Sequence, residues 1–137
     1  MIRILLVDDH ASFRQSLAFL LEREPDMTVV GQAGTLAEAR RMLRGVDVAV
    51  VDLDDLPDGN GRQLIKELHR VSPDSQVLGL VLPRCGGRVH VAQALEAGAA
   101  CVLQKSVGIG DIIGAIRCLD AGRRGPSADQ AAYPAGA

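Results

Sequence analysis

Short apolar runs alternate along this chain with longer segments in which apolar residues recur every three or four positions. The runs fall at residues 2–7, 27–31, 46–51, 76–82 and 101–103. Rich in Val, Leu and Ile and bounded by turn residues, they predict strands buried on both faces. Between them, Phe13, Leu17, Leu20 and Leu21 mark a first helix with Ser12 as its cap. Leu36, Ala39 and Leu43 mark a second, opened by the capping-box spacing of Thr35 and Glu38. Leu64, Ile65, Leu68 and Val71 form the stripe of a third, closed by Ser72-Pro73. Val91, Ala94 and Leu95 predict a fourth, with Gly98 placed to end it. Ile109, Ile112, Ile113, Ile116 and Leu119 give the strongest helical period, and Gly122 is read as its end.

Five strands alternating with five helices predict an α/β fold, a parallel sheet wound on both faces through right-handed crossovers. The expected strand order is 2-1-3-4-5, as in flavodoxin-like sheets, with the switch point between strands one and three. This topology makes the carboxyl ends of strands one and three neighbours, and so collects Asp8, Asp9 and Asp52. Lys105, after strand five, projects from the same edge. The domain is expected to span residues 1–122. Residues 123–137, RRGPSADQAAYPAGA, lack an apolar period and read as a disordered tail or the start of a linker.

Composition narrows the classes. A chain of 137 residues suits one domain, and 47% hydrophobic with only 2% aromatic residues requires an aliphatic core. A net charge of −2 gives no broad attraction to nucleic acid or membrane. No segment approaches the roughly eighteen apolar residues of a span, and no signal-peptide pattern is present, so the cytosol is the default expectation. Cys85, Cys101 and Cys118 have no metal-ligand spacing and read as buried or idle thiols. His10 reads as a solvated loop residue, and His69 and His90 as polar-face helix residues.

Three carboxylates in one crevice repel each other unless a cation is present. Mg²⁺, which prefers a couple of carboxylates plus water and a phosphate, suits the set. With charge so balanced, a carboxylate can attack a phosphoryl group and form an acyl phosphate. Asp52, at the mouth of the central strand, is the best nucleophile; Asp9 and Asp8 would hold the metal. Lys105 would neutralise the phosphoryl oxygens. Acids also gather in exposed loops without function, but three of them together with Lys105 at the strand ends favour a site.

Residues 1–122 resemble a response-regulator receiver domain, of the kind attached to LuxR-type helix-turn-helix output domains. The resemblance is carried by ILLVDDH from Ile4, VDVAVVDL from Val46, LPDGNG from Leu56, GAACVLQKS from Gly98 and AIRCLDAG from Ala115. It implies Asp52 as phosphoacceptor, Asp8 and Asp9 as the metal-binding acids beside Asp52, and Lys105 as the phosphoryl-contacting lysine. It also implies a partner histidine kinase, and output through strands four and five and their helices. A homodimer through a helical face would use helices one and five, or four and five. DNA would be reached only through an output domain outside this sequence, and no enzyme activity is expected beyond self-phosphorylation from a donor and self-dephosphorylation.

Three departures stand against that pattern. Pro57 falls five residues after Asp52, one later than in the family, so the loop carries an extra residue among Leu53, Asp54 and Asp55. The backbone carbonyl that completes the metal shell is assigned to Asp54. Val81 stands where receivers carry Thr or Ser, and lacks the hydroxyl that would bond a phosphoryl oxygen. Val102 stands where an aromatic ring switches rotamer, and a β-branched valine is too stiff and small for that. Two other classes compete with a signalling receiver. One is a phosphorylation-independent module for dimerisation or docking. The other is a flavin binder on the same fold, disfavoured because its phosphate loop should be rich in Ser, Thr and Gly, whereas Asp8-Asp9-His10 would repel a phosphate without a metal.

Overall fold

The computed structural model describes residues 1–82 and 87–124. In chain order it holds β1 (Ile2–Val7), α1 (Ala11–Glu22), β2 (Met27–Ala33), α2 (Leu36–Arg40) and β3 (Val48–Asp52). A two-stranded hairpin follows, β4 (Asp55–Leu56) and β5 (Gly59–Asn60), then α3 (Gly61–Val71) and β6 (Gln76–Val81). The chain continues through α4 (Gly87–Ala97), β7 (Cys101–Gln104) and α5 (Ile109–Arg124). The main sheet is wholly parallel in the order β2-β1-β3-β6-β7, the expected doubly wound arrangement.

Alternation along each strand divides the core into two layers. Leu5, Val7, Ala49, Val51, Val77 and Val81 face α2, α3 and α4, meeting Leu36, Leu64, Ile65, Leu68 and Ala94. Ile4, Leu6, Val48, Val50, Leu78 and Leu80 face the other way, onto Leu17 and Leu21 of α1 and Ile112 and Ile116 of α5. Burial of each such side chain contributes about 1.5–3 kcal/mol. The central strand β3 is buried along its whole length, which carries Asp52 to the sheet edge on a rigid support.

Several local expectations are corrected. His10, not Ser12, is the N-cap residue of α1, because the chain turns into the helix directly after the acid pair. Leu20 and Val71 face solvent, as α1 and α3 each need only a narrow stripe against the sheet. β2 runs on to Ala33, and α2 is only five residues long, although Leu36, Ala39 and Leu43 are all buried. Gly122 does not end α5. The helix runs to Arg124, and Arg123 holds the last turn by pairing with Asp120 at 3.0 Å and Asp47 at 3.4 Å. Two residues of the expected tail are therefore helical. The His69 ring packs half-buried near Gly98 rather than lying on an open polar face. Cys101 is buried, and burial pushes its thiol up to about 11, which fits an idle thiol. The loop at residues 83–86 with Cys85, and the tail from residue 125, lie outside the described residues.

Candidate phosphoacceptor site

Asp52 is the last residue of β3 and pairs in register with Leu80 of β6. The next residue, Leu53, stays in the ladder by donating its N–H to Leu80 O at 2.9 Å. It packs over Gly79, where a side chain would collide with it. On the other side α3 begins hard against the strand: a Cβ on Gly61 would meet the Asp52 carbonyl oxygen and Val51 Cγ1. Asp52 is thus clamped by backbone on two sides.

The loop after Asp52 folds into the β4–β5 hairpin. Leu56 is buried, and Asn60 caps α3 in a reciprocal capping box with Gln63. Asp58, at the hairpin turn, accepts the N–H groups of Leu36 and Ala37 at 2.7 and 3.0 Å. These two bonds hold its carboxyl below the usual range and tie the loop to the start of α2. A contact spanning that much sequence left no local signal.

The predicted residues converge. Asp8 follows β1, is 4% exposed, and its N–H bonds to Ala33 O at 2.9 Å. Lys105 follows β7, its N–H bonded to Val81 O at 2.8 Å. Its ammonium lies 2.8 Å from Asp8 Oδ2 and 3.1 Å from Asp52 Oδ2, and it stacks 4.7 Å above the centre of the Phe13 ring. Burial works against its charge, but the pull of the Asp8 and Asp52 carboxylates outweighs this and raises its pKa. Burial likewise raises the Asp52 carboxyl, reinforced by Asp8; the Asp54 N–H and Lys105 oppose it only in part.

His10 is the exposed loop residue expected, and its ring also borders the cluster. Its Nδ1 stands 3.3 Å from Asp8 Oδ1, 3.4 Å from Asp9 Oδ1, 3.9 Å from Asp52 Oδ2 and 3.1 Å from Lys105 Nζ. The signal was available, since a residue adjoining an acid pair at a strand end must share its edge. Phe13 was read only as a core residue, although helical spacing from His10 also sets its ring under the lysine.

The set fits a divalent cation. Ligand atoms of Asp8, Asp9, His10 and Asp52 lie within 4.8 Å of one another. Asp8 Oδ2 is buried and accepts no well-directed hydrogen bond, despite its closeness to the Lys105 ammonium, so a lone pair is left for coordination. Hard carboxylate oxygens are the donors Mg²⁺ requires.

Val81 and Val102 lie on the two neighbouring strands β6 and β7. Val81 closes β6, is 5% exposed and packs in the core. Val102 is half-buried in β7, packed against the same cluster. Two grooves elsewhere, about 420 Å³ between α1 and β2 and about 460 Å³ between α3 and α4, do not include Asp52 in their lining. Among the described residues no helix is long and apolar enough to cross a membrane.

Comparison with known proteins identifies the family and the fold. The family model for the response regulator receiver domain matches residues 4–117. The DNA-binding transcriptional activator DevR/DosR of Mycobacterium tuberculosis is 36% identical over 125 residues, covering 90% of this chain and 56% of that protein. A protein-glutamate methylesterase/protein-glutamine glutaminase of Caulobacter vibrioides is 39% identical over 103 residues, covering 74% of this chain and 30% of its own length. A LuxR-family two-component response regulator from Aurantimonas sp. superposes with a TM-score of 0.76 at 32% identity, covering 96% of this chain and 93% of that one. The chain spans about half the length of the first of these relatives and less than a third of the second. The enzymatic name of the second belongs to that longer protein, and receiver domains as a class are not enzymes. With its family match over most of its length and a fold of the same topology, the chain belongs to the receiver domains of two-component response regulators.

Proposed function

We propose that Asp52 accepts a phosphoryl group, with Asp8, Asp9 and Asp52 holding Mg²⁺, the Asp54 carbonyl adding a backbone ligand, and Lys105 contacting the phosphoryl oxygens. The observation that carries this reading is the division of labour at the Asp52 carboxylate. Oδ1 accepts the Asp54 N–H at 2.8 Å, while Oδ2 faces Lys105 at 3.1 Å. One oxygen is anchored and the other is presented to the cation side of the crevice.

A lone pair of Asp52 Oδ2 attacks phosphorus in a phosphohistidine of a sensor kinase, or in a small phosphodonor. The new O–P bond replaces the P–N bond, whose electron pair returns to the imidazole, which takes a proton from solvent. Bound Mg²⁺ supplies charge neutralisation to the carboxylates and to the phosphoryl oxygens. Lys105, held by Asp8 and Phe13, keeps its ammonium aimed at the developing charge.

The output of such a phosphorylation is weakened in this chain. Val81 offers no hydroxyl to draw β6 towards the phosphoryl group, and Val102 has no ring to reorient. The chain would act as the regulatory part of a transcription regulator in the cytoplasm. It would pair with a second copy through a helical face and reach DNA only through an output domain. A second reading, a phosphorylation-independent interaction module, is favoured by one observation: the Lys105 ammonium pairs with both Asp8 and Asp52 and ties the three strand ends together.

Beryllofluoride with Mg²⁺ tests the site and its output together. Backbone amide shifts are expected at residues 8–10, at 52–61 and at Lys105, with little change in α4 and β7. Shifts spreading through α4 and β7 would contradict the weakened output. Absence of any shift at residues 52–61 would favour the second reading.

A further inference from the structure

Asp54 does more than follow Asp52. Its N–H donates to Asp52 Oδ1 at 2.8 Å, and its own carboxylate oxygen Oδ2 accepts the N–H of Leu82 at 3.0 Å. The residue therefore bridges the ends of the two central strands. Asp52 pairs with Leu80, so Leu82 lies just beyond the level of Asp52 on the same edge.

A phosphoryl group on Asp52 brings oxygens that need donors within this small space. On the β7 side the donor is Lys105. On the β6 side Val81 has none, which leaves the Leu82 amide, and an anion already holds it. Carboxylate and phosphoryl oxygens compete for the same N–H, and they also repel each other.

We propose that Asp54 is a positioning residue whose carboxylate holds the Leu82 amide where a phosphoryl oxygen on Asp52 would bind, so that phosphorylation must displace it. The lengthened loop then has a role: it carries an internal anion that restrains the site and is expelled when Asp52 is modified. This inference rests on Asp52 being the acceptor. It adds that the same loop sets how readily the modified state forms.

The test uses the full chain and the variants Asp54→Ala and Asp54→Asn, neither of which alters the Asp54 backbone carbonyl. In the unmodified protein, Leu82 amide exchange should quicken roughly tenfold or more in Asp54→Ala, since the bond that protects it is gone. Beryllofluoride with Mg²⁺ should bind at least about threefold more tightly to Asp54→Ala, because no anion has to leave the donor first. Asp54→Asn should fall between, because its amide oxygen still accepts from Leu82 but carries no charge. Unchanged Leu82 exchange in Asp54→Ala overturns the proposal. So does unchanged or weaker beryllofluoride binding to Asp54→Ala when the wild type binds. If neither wild type nor variant takes beryllofluoride, the acceptor role of Asp52 falls, and the inference falls with it.

Discussion

The Lys105 ammonium lies 3.1 Å from Asp52 Oδ2, with the two side chains 7% and 1% exposed. A buried pair is marginal as a whole but costly to break, because the abandoned charge keeps its desolvation penalty. Lys105→Ala leaves Asp8 and Asp52 facing each other without a cation and should cost about 3 kcal/mol in urea unfolding. The raised lysine pKa gives the pH sign: its contribution is complete below 10.5 and is lost as pH rises through the higher folded value.

Removing the acid should do the reverse. The folded pKa of Asp52 lies above its ordinary 3.8, so between those values the folded state holds more protons than the unfolded one. Stability from this group therefore falls as pH rises from 3.8 through the higher folded value. Asp52→Asn is expected to have a higher urea midpoint than wild type at pH 7, with the difference shrinking as pH is lowered towards 3.8. Asp8 still holds Lys105 at 2.8 Å in that variant.

Gly61→Ala tests the clamp on Asp52. The added Cβ would collide with the Asp52 carbonyl oxygen and with Val51 Cγ1, both in the rigid end of β3. Overpacking of this kind costs about 1–3 kcal/mol, which a urea midpoint would register. Beryllofluoride affinity should fall as well, since the strand end that presents Asp52 is what must shift.

Much of this was legible in the sequence, for a physical reason. Strands buried on both faces must be continuously apolar, so 46–51 and 76–82 announce themselves, and parallel pairing then dictates which strand ends meet. Asp8, Asp9, Asp52 and Lys105 follow from that geometry alone. Contacts between loops did not follow, because they carry no period. Asp58 capping α2, Asp54 holding Leu82 and Arg123 reaching Asp47 each join residues far apart in sequence. The end of α5 was misread at Gly122 for the same reason, since a tertiary ion pair outweighed a weak helix former. His10 is solvated as expected, and its place beside Asp8 and Asp9 also brings its ring to the edge of the site.

Val81→Thr tests the output. The position is 5% exposed and packed in the core, so adding a hydroxyl should cost about 1–3 kcal/mol of stability unless it finds an acceptor. With beryllofluoride and Mg²⁺ bound, that hydroxyl gains a partner. Amide shifts should then extend along β6 into β7, which pairs with it from Leu78 to Val81. A shift pattern identical to wild type would mean that the missing hydroxyl is not what limits the response.

The central claim is that Asp52 is a working nucleophile in a receiver site, and intact mass measurement tests it most directly. Wild-type protein incubated with Mg²⁺ and a small phosphodonor should gain the mass of one phosphoryl group, and Asp52→Asn under the same conditions should gain none. The claim would be contradicted if wild type stays unmodified at saturating donor, or if the Asp52→Asn variant acquires the same adduct.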